Sequence, residues 1–308
     1  MQPIFCRLRR RALRLALLPA VFLLLAALCA LPADAAAPAG TYVRTPAAPG
    51  TVVHSNAKAG FDASNASQGY IMAWYGGSAD KVKVQITGGG STYTYNLNTA
   101  GRKEVFPLTM GDGSYTVAVY ERVTGNQYAL AYSKQISVKL ESAFLPFLYP
   151  NQYVNFSASS RTVSVAGTLA ADAADQLGVV TNIYNYVISH ITYDSYKAAN
   201  VQSGYLPSVD STLAAGTGIC FDYAAVMAAM LRSQQIPTRL EVGYVSGGTY
   251  HAWISTYIAE VGWVDGIIQF DGKSWKLMDP TFASNGGSSP EIMQFIGNGA
   301  NYQMKYRY

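Results

Sequence analysis

The stretch GTGICFDYAAVMAAML, residues 216–231, decides how the second half of this 308-residue chain folds. Apolar side chains recur at three- and four-residue spacing from Cys220 through Tyr223 and Met227 to Leu231, which predicts a packed helix that begins at the cysteine. At the first turn of a helix, unpaired backbone N–H groups and the positive end of the helix dipole favour a thiolate over a thiol. Free cysteine often serves as a small buried hydrophobe, but that role does not require a helix start. Cys220 is therefore the first candidate for chemistry.

The first 35 residues have the pattern of an export signal. Five arginines between positions 7 and 14 precede an apolar run at residues 15–28, and Ala33-Asp34-Ala35 forms an A-x-A cleavage site. We expect cleavage after Ala35 and a secreted or otherwise extracytoplasmic product, either extracellular or periplasmic. A lipid anchor at Cys29 is the alternative, which the bulky Leu28 before it disfavours. No other apolar run is long enough to cross a membrane.

Removal of this segment changes both the charge and the thiol content. It carries five of the 22 basic and one of the 18 acidic residues, so the remainder has 17 of each and no net charge. Neither nucleic acid nor an anionic membrane surface is expected as a partner. Cys6 and Cys29 are also lost, which leaves Cys220 as the single thiol in an oxidising compartment. One cysteine and one nearby histidine are too few ligands for zinc, and we expect neither a metal nor a cofactor.

The pattern changes twice along the remaining chain. Residues 36–67 are rich in Ala, Pro, Gly, Ser and Asn and predict a leader or linker. Residues 68–140 contain seven short runs of Tyr, Val, Ile and Thr between turn residues, which predict an immunoglobulin-like β-sandwich. Residues 141–308 place helices before strands, an α+β pattern. The elements expected there are helices at about 172–190 and from 220, a loop at 205–218, and strands at 238–245, 250–258 and 274–278.

A nucleophilic thiol needs a base, and three histidines are available. His54 lies in the linker and His190 at a helix end, where a capping role is expected. His251 opens the strand YHAWISTYI and shares one face with Trp253, so a core role is the simple alternative. Asp279 ends the strand SWKLMDPTF. If these two strands pair antiparallel across a loop at 259–273, His251 and Asp279 become neighbours, and the carboxylate can orient the imidazole.

The three motifs together resemble the transglutaminase-like superfamily. G-x-C at a helix start, H-A-W on one strand and W-x-L-M-D-P-T on the next fall in the order of that family, between about residues 170 and 284. The resemblance implies a papain-like α+β catalytic domain in which Cys220 is the nucleophile, His251 the base and Asp279 the residue that orients the base. In the animal enzymes a tryptophan precedes the cysteine, and this chain has no convincing counterpart of it. It also has no acidic cluster of the calcium-loop type. Calcium dependence is therefore not expected, and protein cross-linking does not follow from the resemblance.

The sequence leaves the second half of the reaction open. A thioester on Cys220 that is released by water makes the protein a protease or amidase, and release by an amine makes it an acyltransferase. The substrate is expected to be a protein or peptide, cell-wall peptides included, and the oligomeric state is not predicted. The alternative function is a non-catalytic binding scaffold with the same fold.

Five further residues near the motifs have expected roles, four of them structural. We expect Trp253 and Trp275 to pack in the core, Asp222 to complement the helix dipole, and Tyr223 to lie on the packed helix face. Tyr196 is a candidate second donor, beside the Cys220 backbone N–H, to an oxyanion. No catalytic candidate lies before residue 145, so the first half is expected to be separable from the chemistry.

Overall fold

The computed structural model describes residues 40–259, 262–265, 267–270, 275–278 and 301–308. The predicted signal peptide at 1–35 and Asp279 lie outside these residues. The described residues belong to one compact unit, Ala37–Tyr308. They form a mixed α and β fold, and within them no helix combines the length and hydrophobicity needed to span a bilayer.

Two four-stranded antiparallel sheets make up the first half. Their alternating sequences explain the layers, since Val82, Val84 and Ile86 are buried while Lys83 and Gln85 between them are partly exposed. The apolar faces of both sheets contribute to one core. The first sheet has the order β1-β2-β3-β6 and the second β5-β4-β7-β8, with bounds β1 Val53–Ser55, β2 Ala59–Asp62, β3 Tyr70–Tyr75, β4 Val82–Gly88, β5 Ser91–Leu97, β6 Glu104–Pro107, β7 Gly113–Thr124 and β8 Gln127–Val138.

The segment at 36–67 differs from the expected linker. It supplies β1 and β2, and β2 pairs with β3 while Phe61 is fully buried. Further upstream, the Tyr42 backbone N–H donates to the carbonyl of Ser233, 2.8 Å away. The strands are only three and four residues long and rich in small residues, so they give no readable periodicity. The last two of the seven expected runs, QYALAYS at 127–133 and KQISVKL at 134–140, also differ from expectation. They form the single strand β8, which is bulged against β7.

Five α-helices follow in the described part of the second half. They are α1 Arg161–Ala171, α2 Gln176–His190, α3 Ser195–Asn200, α4 Val209–Ala215 and α5 Cys220–Ser233. The helix expected at 172–190 starts four residues later because the Asp175 side chain caps it, accepting from the Gly178 N–H at 2.7 Å. Helix α5 begins at Cys220 as predicted and is buried at every position from Asp222 to Ser233. It is a central helix, with other elements packed all around it.

The second half also contains a four-stranded antiparallel sheet of order β13-β12-β11-β16, on which α5 packs through β11 and β12. Its strands are β11 Thr238–Val245, β12 Tyr250–Ile258, β13 Gly262–Asp265 and β16 Tyr302–Arg307, and two short parallel strands, β9 Thr192–Tyr193 and β10 Thr217–Gly218, pair beside α5. At Gly243 a Cβ would lie 3.0 Å from the Lys305 N and closer still to the Gln303 carbonyl. A side chain there would push β16 away from β11.

The expected pairing of residues 250–258 with 274–278 is wrong. The two partners of β12 are β11 and β13. β15 Trp275–Met278 pairs instead with β14 Ile267–Phe270. The segment at 259–273 was expected to be a loop, but it contains β13 and β14. These strands give both of the expected partners a closer neighbour along the chain, and short-range antiparallel pairing costs less loop-closure entropy. The predicted contact between His251 and Asp279 therefore has no support from strand pairing.

A cluster of five tyrosines joins the two halves. Tyr93 and Tyr95 of β5 meet Tyr153, Tyr306 and Tyr308, with ring centroids 4.2 Å apart for Tyr153 and Tyr308 and 5.8 Å apart for Tyr95 and Tyr308. We call this set the tyrosine cluster. Burial raises the pKa of Tyr153 to about 12, so its phenol stays protonated and neutral at physiological pH. The two halves share one core here, which argues against the expectation that they are separable.

Arg232 anchors the far end of α5. Its fully buried guanidinium donates to the carbonyls of Thr238, Tyr149 and Tyr308 at 2.9, 2.8 and 2.6 Å. Desolvation lowers the pKa of Arg232 to about 9, yet the group remains charged at neutral pH. Three carbonyls from separate segments are thereby fixed to one helix end.

Candidate active site

Cys220 is the first residue of α5 and is a half-buried free thiol. The preceding residue, Ile219, is extended, so the chain turns into the helix at the cysteine. The parallel pairing of Gly218 with Tyr193 brings β9 alongside this helix start. The Tyr223 hydroxyl, one turn into α5, donates to the Ile191 carbonyl at 2.5 Å and holds the same two segments together.

His251 lies on β12, opposite Gly243 of β11, and is buried. Its ring is stacked at 6.3 Å on that of Trp253, which shares its face of the strand. Because α5 packs on β12, His251 and Cys220 lie on the wall of the same cavity, whose volume is about 600 Å³. A base and a thiol that line one cavity can exchange a proton when a substrate brings them together.

Trp253 is buried, in keeping with its expected core role, and it meets a buried carboxylate. Glu241 of β11 accepts from the Trp253 indole N–H at 3.0 Å and from the Ser255 hydroxyl at 2.6 Å. These hydrogen bonds fix the indole on which the His251 ring is stacked.

The other histidines lie outside this cavity. His54 packs its ring on Phe61, and His190 bonds the Leu213 carbonyl at 2.9 Å while stacking on Tyr186. Among the described residues, no group of three or more His, Cys, Asp or Glu side chains converges on a point where a metal ion could be held.

Asp222 has a larger role than a charge that complements the helix dipole. Its carboxylate is fully buried, accepts from the Ile219 backbone N–H at 2.9 Å and pairs with the Lys197 ammonium at 2.6 Å. The Tyr205 hydroxyl also donates to it, and the Lys197 ammonium donates to the Tyr205 oxygen at 2.7 Å. We call Asp222, Lys197 and Tyr205 the acid–base clamp. It fastens the segment 197–205 to the start of α5, two residues from the thiol.

The expected oxyanion donor is not where the reaction would occur. Tyr196 is 81% exposed and is not among the residues that line the cavity, while Tyr193, three residues earlier, lines it together with Cys220. Burial raises the pKa of Tyr193, and the nearby Cys220 raises it further, so this phenol keeps its proton. The sequence signal that separates the two tyrosines is Asp194, whose side chain caps α3 by accepting from the Lys197 N–H at 2.8 Å. Tyr193 therefore precedes the helix, and Tyr196 lies on its exposed surface.

Comparison with known proteins identifies the domain that carries this site. Residues 163–266 match the model of the family described as "Transglutaminase-like superfamily". No curated protein matches the sequence.

Solved structures resemble the chain only distantly. The periplasmic domain of TgpA from Pseudomonas aeruginosa has 14% identity and a TM-score of 0.34, over 79% of this chain and 99% of that one. A candidate cysteine protease from Cytophaga hutchinsonii has 17% identity and a TM-score of 0.35, over 69% and 78%. Red sea bream transglutaminase has 11% identity and a TM-score of 0.32, over 74% and 53%. On the family match, the chain contains at residues 163–266, with Cys220 and His251 among them, a domain of the transglutaminase-like superfamily.

Proposed function

We propose that the protein is an exported cysteine enzyme that transfers or hydrolyses acyl groups through a thioester on Cys220. The observation that carries the proposal is the cavity that Cys220, at the start of α5, shares with His251 on β12. His251 acts as the general base, and Asp279, after β15, orients it. The role of Asp279 depends on the sequence motif. Residues 1–35 direct export, the two sheets between residues 53 and 138 are an immunoglobulin-like sandwich, and residues 141–308 are a papain-like catalytic domain.

The reaction begins with proton transfer from the Cys220 thiol to the His251 imidazole. The thiolate attacks the carbonyl carbon of a glutamine carboxamide or a peptide bond and forms a tetrahedral oxyanion. When this collapses, the C–N bond breaks and His251 gives its proton to the departing ammonia or amine, which leaves a thioester. Water or a second amine then attacks the thioester, His251 accepts its proton, and the thiolate is released.

Two donors are available to the oxyanion. The Cys220 backbone N–H belongs to the first turn of α5, where a helix offers no carbonyl partner within itself. The Tyr193 hydroxyl lines the same cavity and stays protonated, as a donor must. Loss of one oxyanion donor typically lowers kcat by about 10²- to 10³-fold.

The test uses wild type and four variants with a glutamine-containing peptide library, with and without a labelled primary amine, and mass spectrometry of the products. Cys220→Ala and His251→Ala are expected to abolish turnover, and Tyr193→Phe to lower kcat. Tyr196→Phe is the matched control and should leave turnover unchanged, because that side chain faces solvent. Amine incorporation identifies an acyltransferase, deamidation an amidase, and chain cleavage a protease. If no product depends on Cys220 across a panel that includes cell-wall peptides, the enzyme proposal fails and the binding scaffold replaces it.

A further inference from the structure

The cavity beside Cys220 has an aromatic wall. Six of its lining residues carry phenyl or phenol rings, and its volume of about 600 Å³ falls within the ~300–1,000 Å³ of ordinary small-ligand sites. The six are Tyr153, Tyr193, Tyr205, Phe221, Tyr250 and Tyr308. Phe221, adjacent to the thiol, packs on Tyr153 and Tyr205 with ring centroids 5.6 and 6.4 Å apart. Through the further contact of Tyr153 with Tyr308, four of the six rings form a connected row that includes the residue next to the nucleophile.

The same wall is uncharged. Among the described residues that line the cavity there is no Asp, Glu, Lys or Arg, and His251 is the one titratable cation. Lys197 and Asp222, of which neither lines the cavity, form an ion pair with each other at 2.6 Å. Against this described lining, an ionic substrate side chain would lose water without gaining a counter-ion, whereas an apolar one would gain from leaving water. Proton transfer from Cys220 to His251 creates a thiolate and an imidazolium together, so it adds no net charge to the cavity.

One side of the cavity consists of residues from the segment 198–206, which begins in the last turn of α3 and includes Val201 and Leu206. The acid–base clamp fixes this segment at its two ends, through Lys197 before it and Tyr205 near its end. The rings on the opposite side are held in the tyrosine cluster. Both sides are therefore preorganised, so the cavity can select by fit and polarity.

We propose that this cavity selects a substrate with a large uncharged side chain, aromatic or aliphatic, beside the carbonyl that Cys220 attacks. This inference adds a substrate class to the proposed function and rests on it, because it assumes that the molecule in the cavity is a substrate. Transfer of a Leu- or Phe-sized side chain from water favours such a substrate over its alanine counterpart by roughly 10- to 100-fold in kcat/KM. Acidic and basic side chains should both be poorer than uncharged ones of the same size.

The selectivity can be measured without turnover. A cysteine thiolate attacks the sulfenyl sulfur of a methanethiosulfonate, R–S–SO2CH3; the new S–S bond gives the mixed disulfide with the R–S group, and the reagent's S–S bond breaks to release methanesulfinate. The benzyl reagent is neutral and aromatic, the sulfonatoethyl reagent is anionic and the trimethylammonioethyl reagent is cationic. Each rate with the folded protein is divided by the rate of the same reagent with glutathione. We expect the benzyl reagent to show at least a tenfold advantage over both charged ones.

A charge placed on the wall should reverse this order. Leu206→Lys puts an ammonium at a partly exposed lining position and should favour the anionic reagent and Asp-containing peptides, while Leu206→Glu should favour the cationic ones. Leu130→Lys is the matched control, since Leu130 is a comparably exposed leucine on β8, away from the cavity. It should leave the order unchanged.

The outcomes separate this inference from the proposed function. Equal normalised rates for the three reagents, or a preference for the cationic one, overturn the uncharged-substrate inference even if turnover is found. No Cys220-dependent turnover with a strong benzyl preference overturns the enzyme proposal and leaves a selective uncharged-ligand site. If Leu130→Lys reverses the order of the three reagents as Leu206→Lys does, the effect is due to the overall charge of the protein, and the role of the cavity wall is refuted.

Discussion

Replacing Lys197 by methionine is expected to destabilise the start of α5, because it leaves the buried Asp222 carboxylate without its cation. Removing one partner of a buried pair typically costs about 3–5 kcal/mol. The Lys197 side chain is 29% exposed, and Asp222 keeps the Ile219 N–H and the Tyr205 hydroxyl. We therefore expect a loss of about 2 kcal/mol in the free energy of unfolding. For a protein of this size, with an unfolding entropy of about 2.1 cal/mol/K per residue, that corresponds to a fall in Tm of about 3–4 °C.

The pH dependence gives the prediction a sign. Burial lowers the pKa of Lys197, but its hydrogen bonds to Asp222 and Tyr205 raise it by more, so the folded-state pKa lies above the ordinary 10.5. The contribution of a group with a raised folded-state pKa is complete below its unfolded value and is lost as the pH rises through the folded value. The stability difference between wild type and Lys197→Met should thus be constant from neutral pH to about 10.5 and shrink above it.

The measurement is urea unfolding followed by circular dichroism, with Lys139→Met as the control. Lys139 pairs with Asp112 in solvent, with side chains 87% and 43% exposed, so its loss should leave the midpoint unchanged. Adding Asp222→Asn to Lys197→Met should recover part of the stability, because it removes the uncompensated charge. A Lys197→Met midpoint equal to that of wild type, or a difference that widens above pH 10.5, would refute the account of the clamp.

Other substitutions test the fold directly. Phe61→Ala should lower the free energy of unfolding, measured in urea, by about 3–5 kcal/mol, since β2 is part of the core. If residues 36–67 were a linker, the same substitution would cause no change. Gly243→Ala should cost about 2–3 kcal/mol by displacing β16, whereas Gly76→Ala should be tolerated because its Cβ would meet only the Lys58 carbonyl, at 3.8 Å. A chain that begins at residue 145 should lack the dispersed NMR spectrum of a folded protein, because it loses the β5 side of the tyrosine cluster; a folded spectrum would show that the halves are separable.

The elements that sequence reasoning located best are those in which many positions point to the same period. The start of α5 and the bounds of β11 and β12 are confirmed, because an apolar helical repeat and strong strand alternation run over eight or more residues in each. Strands β1 and β2 are too short to show a period, and they exist because β3 and the core hold them. The pairing of β12 was missed because the nearer strand β13 was taken for loop.

The candidate site shows the same contrast between what a local pattern predicts and what tertiary packing decides. Local patterns were enough to single out Cys220 and His251, and tertiary structure places them on one cavity. The partners of Asp222 could not be read from the sequence, because Lys197 and Tyr205 reach it across a turn of chain whose path is set by packing. Tyr193 could not be identified from the sequence, because a strand of two residues shows no alternation from which a face can be deduced.

The tyrosine cluster also sets the order in which the molecule can mature. Arg307 and Tyr93, whose backbone N–H and hydroxyl are hydrogen-bonded, are 214 positions apart in the sequence, and Tyr308 next to Arg307 lines the cavity. Contacts between such distant segments form late in folding, since the intervening chain must first be ordered. A chain still under synthesis in which β16 has not yet been made lacks the Tyr308 side of the cavity around Cys220. The cavity beside the thiol is therefore complete only after residues 302–308 have been made and docked.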